Sequence, residues 1–349
     1  MHRIAAIVFV LGLAMACVEK PAPVDVEEPG YFVPMAIPAD NPLTEKGVAL
    51  GRRLFYDPIL SADSSISCAS CHRQELAFTD GRAVSTGLEG RSGTRNAISL
   101  ANVGYRYKGL FWDGRSASLE EQVTHPITDA REMGNSWEEL LRVLNDHPDY
   151  SQRFEAAFGP GPVTRAQVER ALAQFQRTLI SSGSKFDRVL QKRAQFSEQE
   201  ERGFHIFFDS RADLPMAECG HCHLDPLFTN LAFENNGIEA VHGLADFPDR
   251  GRGRITGRPP DNGKFRVPSL RNVALTAPYM HDGRFQTLEE VVDHYASGGH
   301  MAVNKSANVR PLRLDEQHKA DLIAFLHTLT DTAFIADPRF SDPFQNQQQ

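Results

Sequence analysis

Two short stretches, Cys68-Ala69-Ser70-Cys71-His72 and Cys219-Gly220-His221-Cys222-His223, share the pattern Cys-x-x-Cys-His. Two thiols at this separation can add to the vinyl groups of a haem. The histidine that follows is then held against the iron as its proximal ligand. The competing chemistry is a zinc site made from the two Cys-x-x-Cys pairs. Pairs in zinc ribbons lie about 15–20 residues apart, whereas these are separated by most of a lobe and each runs straight into histidine. The pattern therefore predicts two covalently attached haems c. Cys68, Cys71, Cys219 and Cys222 would hold the porphyrins, and His72 and His223 the irons.

The surrounding chain must position them. Its 349 residues leave room for two domains of ordinary size. The fifth cysteine is Cys17, so none is left for a structural disulfide. His2 and Arg3 precede an apolar run from Ile4 to Ala16 that is too short to cross a bilayer but suits the core of a signal peptide. Ala14-Met15-Ala16-Cys17 reads as a lipobox, with Cys17 lipidated at the mature N-terminus. The alternative is ordinary cleavage near Ala16 with Cys17 incidental. Both predict export to the periplasm. Residues 18–42 carry six prolines and no hydrophobic period, which predicts an extended tether. Residues 336–349 read as a polar, frayed tail. With a net charge of -8, nothing in the composition points to nucleic acid or an anionic membrane as a partner.

Between tether and tail the sequence repeats itself. Gly51 to Asp57 precedes the first haem motif and Gly203 to Asp209 precedes the second at nearly the same distance. Thr94 to Ala97 is matched with Ser269 to Val273, and Phe111 to Val123 with Met280 to Val292. Ser118 to Glu121 and Thr287 to Glu290 read as capping boxes at helix starts. Thr164 to Ile180 and Leu314 to Leu329 each place apolar residues on one helical face. With no alternating strand pattern, the expected fold is all-α: two tandem cytochrome c-like helical domains, residues 43–190 and 197–335.

The repeat makes the two distal sides comparable. Aligning Asp113 with Asp282 sets Trp112 against His281, Gln122 against Val291, Pro126 against Tyr295 and Glu132 against Met301. The first half thus offers an amide and a carboxylate where the second offers apolar groups, a phenol and a thioether. Cleaving peroxide needs an open iron and a group that moves a proton between the two oxygens, and Gln122 with Glu132 could supply that group.

Phe111-Trp112-Asp113-Gly114-Arg115, Glu121-Gln122, Pro126-Ile127, Glu132-Met133 and Leu275 to Gly283 resemble the bacterial di-haem cytochrome c peroxidase and MauG family, in order and spacing, over residues 43–330. The resemblance implies that the haem on His72 is the peroxidatic one. It implies that Gln122 and Glu132 handle peroxide, with Glu132 as acid and base, and that Trp112 couples the two haems. It also implies Ca²⁺ between the haems, held by the Asn96 side chain and the Thr276 and Pro278 carbonyls, a hard oxygen set that suits this ion.

Two departures separate this chain from the histidine-gated peroxidases of the family. No histidine occurs from Arg73 to Gly114, where those enzymes carry one that blocks the first iron until the other haem is reduced. Where they place an axial methionine, counted from His281, this chain has Tyr295, as MauG-like enzymes do; Met301 and Met280 are the competing ligands. The resemblance then implies an enzyme that uses H₂O₂ to form high-valent iron and oxidises a partner protein, at tryptophan. The alternatives are a periplasmic peroxidase fed by a small c-type cytochrome or cupredoxin, and a non-catalytic di-haem electron carrier.

Overall fold

The computed structural model describes residues 22–24 and 26–345. The leader and the Cys17 lipobox lie outside the described residues. Among them, no helix is long and apolar enough to cross a membrane.

Each half is built on one close helix crossing. In the first, the Glu45–Tyr56 helix lies on the Arg165–Arg177 helix; in the second, the Glu198–Phe207 helix lies on the Glu316–His327 helix. The glycines that open the repeated heptapeptides sit at these crossings. A Cβ on Gly51 would lie 1.9 Å from the Ala171 carbonyl oxygen, and one on Gly203 the same 1.9 Å from that of Asp321. Around the crossings lie two cores. The first contains Leu54, Phe55, Phe78, Leu140, Phe154 and Phe175, and the second Phe186, Phe207, Phe228, Leu322 and Phe325. Thr287 and Glu290 form the expected capping box. In the first half, Ser118 caps Glu121 N, but the Glu121 carboxylate accepts from Ala117 N, one residue earlier than the box requires.

Several expectations are corrected. The fold is helix-rich and not all-α: Phe233–Glu234 pairs antiparallel with Phe265–Arg266, and long irregular segments surround the cavities. The tether is docked. Phe32 and Met35 are buried, Tyr31 Oη donates to Asp187 (2.8 Å) and Tyr105 Oη to Glu28 (2.8 Å). Its aromatic residues outweigh its prolines, because burying them offsets the entropy of ordering the segment. The tail is anchored as far as it is described, with Phe340 buried in the first core and its carbonyl accepting from Tyr56 Oη at 2.7 Å. The boundaries at 190 and 335 also shift. Phe186 packs in the second core, and Phe334, on the Thr332–Ala336 helix, crosses back to the first.

The repeat is in a different register beside the first haem motif. Ser99-Leu100-Ala101-Asn102-Val103, not Thr94 to Ala97, is the counterpart of Ser269 to Val273. Asn102 and Asn272 both take left-handed backbone (φ 57° and 61°) and open matching 3₁₀ turns. Ser99 Oγ donates to Ala77 O and Ser269 Oγ to Leu227 O, at 2.7 and 2.6 Å. The shared Arg-Asn dipeptide was the weaker signal, because it carries no backbone requirement. A buried ion pair, Arg271 to Asp187 at 2.9 Å with both side chains fully inaccessible, ties the Lys185–Leu190 helix to the Ser269 to Val273 segment.

The crossings give a test. Gly51→Ala and Gly203→Ala each force a methyl into a carbonyl that cannot yield. Each should cost toward the upper end of the ~1–3 kcal/mol typical of overpacking, seen as a lower Tm. An unchanged Tm would show that the helices can separate without penalty.

Candidate functional site: two cavities sharing a wall

Each Cys-x-x-Cys-His motif begins with one helical turn, Cys68–Cys71 or Cys219–Cys222, and ends on the histidine as its C-cap. The imidazoles are oriented identically. His72 Nδ1 bonds Phe78 O at 2.8 Å and His223 Nδ1 bonds Phe228 O at 3.0 Å. Both phenylalanines are buried in left-handed backbone, φ 62° and 53°, which turns the carbonyl toward the ring. The carbonyl fixes the tautomer with the proton on Nδ1 and leaves Nε2 to bind a metal. Burial lowers the pKa of both rings, that of His223 to about 4, so both are neutral and ligand-competent. The four thiols form no disulfide, and burial pushes Cys68 and Cys219 up to about 12.

His72 faces a cavity of about 200 Å³ and His223 one of about 230 Å³. Among the described residues, His72 is the only histidine on the first wall. Met133, the thioether there, is packed in the first core. Gln122, from the Leu119–Thr128 helix, and Glu132, from the turn after it, line this cavity together. Burial raises the Glu132 pKa, and the charge of Asp129 adds to the effect. The Ser85–Gly93 loop buttresses that turn: Leu88 N donates to Glu132 O at 2.8 Å, and a Cβ on Gly87 would lie 1.9 Å from Arg131 O.

In the second cavity, Tyr295 and Met280 line the wall with His223. Asn236 reaches both, its Nδ2 lying 3.4 Å from Tyr295 Oη and 3.3 Å from Met280 Sδ. Burial pushes the Tyr295 phenol up to about 12, so as a free side chain it keeps its proton; coordination to a metal would remove it. Met301 is 74% exposed and leaves the set of candidate ligands. Asn236 was not singled out from sequence, since an asparagine beside Asn235 and Gly237 reads as a turn.

One partition separates the cavities. Trp112, Asn96 and Arg106 line both. Trp112 is buried, its Nε1 donates to Asn96 O at 2.8 Å, and its ring lies edge-on to His281, centroids 6.5 Å apart. Thr276 and Pro278 line the second cavity beside Asn96. No hydrogen bond among the described residues engages Asn96 Oδ1 or the Thr276 and Pro278 carbonyls. Arg106 and Arg266, also missed from sequence, are basic groups facing a cavity. Nη1 and Nη2 of Arg266 are buried with no partner. The residues present fit haem c: paired thiols, imidazoles with Nε2 free, apolar walls and buried guanidinium groups lacking an anion that propionates would supply.

Comparison with known proteins agrees with this arrangement. The family model described as di-haem cytochrome c peroxidase matches residues 45–195. The chain is 35% identical to cytochrome-c peroxidase IdrP1 of Denitromonas iodatirespirans, covering 99% of both chains. It is 37% identical to methylamine utilization protein MauG of Methylorubrum extorquens, over 84% of this chain and 80% of that one. Its fold superposes with a TM-score of 0.84 on a crystal structure of a MauG-like protein associated with microbial copper homeostasis, at 42% identity, covering 92% and 99% of the two chains. With paired axial-histidine motifs, two cavities and relatives matched along nearly its whole length, the chain belongs to the di-haem cytochrome c peroxidase family and is an oxidoreductase acting on peroxide.

Proposed function

We propose that this protein is a periplasmic MauG-like enzyme that spends peroxide on oxidising an exported partner protein, at tryptophan. The observation that carries the reading is Tyr295 buried on the wall of the second cavity with Asn236 at its hydroxyl, together with a first cavity in which, among the described residues, no histidine but His72 lines the wall. A phenolate ligand favours oxidised iron, whereas a thioether raises the potential and suits a relay fed by a donor. Tyr295 is the ligand in this reading, oriented by Asn236. Ca²⁺ is assigned to Asn96 Oδ1 and the Thr276 and Pro278 carbonyls.

When bound, haem supplies the two-electron reduction of H₂O₂. The chain's own residues manage the proton and the coupling. Glu132 accepts a proton at its carboxylate from peroxide entering the first cavity and returns it to the departing oxygen, with the Gln122 amide in the same space. Trp112, anchored by its hydrogen bond to Asn96, stands between the two cavities and provides the route for charge. The partner need not enter either cavity, because electrons and not atoms cross the wall.

The second reading is a peroxidase fed by a small cytochrome or cupredoxin. Met216 and Leu224, 56% and 49% exposed, flank the second haem motif and would offer such a donor an apolar contact. A non-catalytic carrier is disfavoured, since a pure carrier has no use for a raised-pKa carboxyl beside its iron.

Treating the ferric protein with peroxide separates the readings. The first expects a near-infrared charge-resonance band, lost in Tyr295→His, and negligible turnover of a reduced small cytochrome. Rapid, sustained cytochrome oxidation with no such band would establish the second.

The Glu132 role predicts a pH profile. As a base, Glu132 must be ionised, so the rate of peroxide reaction rises with pH through its pKa, which burial places above the ordinary 4.5. Glu132→Gln should abolish that acid limb and slow the reaction by about 10²-fold or more. A limb that persists in the variant would assign it to another group.

A further inference from the structure

The repeat register pairs Asn102 with Asn272, and the same offset pairs Arg106 with Thr276 and Asn96 with Arg266. Arg106 and Thr276 are the C-caps of the two matching 3₁₀ turns. One diagonal of the partition, Asn96 with Thr276, thus presents neutral oxygens. The other, Arg106 with Arg266, presents two guanidinium groups.

Among the described residues neither cation forms an ion pair. Arg106 lines both cavities, and its Nη2 donates to Ser99 O at 2.9 Å. Arg266 is 2% exposed; its Nε donates to Phe111 O at 3.2 Å, and both terminal nitrogens are buried without acceptors. The nearest carboxylate that influences Arg266 is Asp113, already held by Arg95 at 2.7 Å and Arg115 at 3.3 Å. Burial depresses both guanidinium groups: Arg106 falls to about 9, with the charge of Arg266 adding to the effect, and Arg266 to about 10, with that of Arg252 adding. Both still carry their charge. One half-buried and one buried guanidinium face the same cavity, and neither forms an ion pair among the described residues although Glu234 lines that wall, so both are placed to receive the carboxylates of a bound group.

We propose that Arg106 is a shared clamp whose guanidinium binds propionate carboxylates of both haems through the partition, with Arg266 serving the second haem, so that one side chain sets both potentials. This rests on the assignment of haem to both cavities. Arg suits the task because its donors fork in a plane and can engage two carboxylates at once. Thr276, its counterpart in the repeat, cannot, so the clamp belongs to one lobe while acting on both cofactors.

The experiment is a spectroelectrochemical titration of the full-length protein and its Arg106→Met, Arg106→Lys and Arg266→Met variants, with haem content measured as the pyridine haemochrome. Two haems per wild-type chain establish the underlying assignment independently; fewer would overturn that and not merely the clamp. Removing a positive charge beside a haem favours its ferric form, so Arg106→Met should shift both midpoint potentials downward. Arg106→Lys should restore them toward wild type, and Arg266→Met should lower mainly that of the second haem. The clamp is refuted if Arg106→Met or, should that variant not fold, Arg106→Gln retains two haems and leaves either midpoint unmoved. A variant that loses only one haem while the other keeps its wild-type potential refutes it equally.

Discussion

The hydrogen bond from the Trp112 indole to the Asn96 carbonyl, 2.8 Å long, fixes the one wall that both cavities share. Much else is arranged around it. Asn96 N donates to His281 O, and Arg266 N donates to Trp112 O, so the strand pair and the Tyr279–Phe285 loop are tied to the same partition. His281 is held there by stacking on Phe265, centroids 3.6 Å apart. A buried indole with its N–H satisfied cannot swing, and a chain with two redox centres needs a rigid contact between them. Were the indole free to rotate, the cavities would remain but their separation would not be defined.

The duplication explains how one chain acquires two such centres, and its exceptions explain why they differ. Matching glycines set matching helix crossings, and matching phenylalanine carbonyls set matching imidazoles. The differences fall on the distal walls: Glu132 lines the first cavity, while its counterpart Met301 is carried out to the surface. Tyr295 turns into the second cavity from the helix position that Pro126 occupies in the first. In the proposed function, this asymmetry on a symmetric frame gives one site for peroxide and one for holding charge.

The two thiol–histidine motifs stand out in the sequence because covalent haem attachment demands a fixed local spacing, and Gln122 and Glu132, expected from contiguous family motifs, do line one cavity with His72. The repeated heptapeptides that open on Gly51 and Gly203 are visible in the sequence, but that these glycines seat the two helix crossings is seen only in the structure. What escaped was set by contacts distant in sequence. Phe32 and Phe340 read as parts of polar or proline-rich termini, since nothing local records that each meets a pocket of the folded body. Asn236 gains its meaning from Tyr295, and Arg106 from two cavities that exist only once both lobes are folded. The register around Asn102 was misread because a shared dipeptide was weighed above a shared backbone conformation.

In the proposed function the two irons are unequal, the first open and the second closed by Tyr295. Electron paramagnetic resonance of the resting ferric protein distinguishes the two. One high-spin and one low-spin haem are expected, with Tyr295→Phe altering only the low-spin signal. Low-spin iron at both haems, or a low-spin signal unchanged by Tyr295→Phe, would contradict that reading.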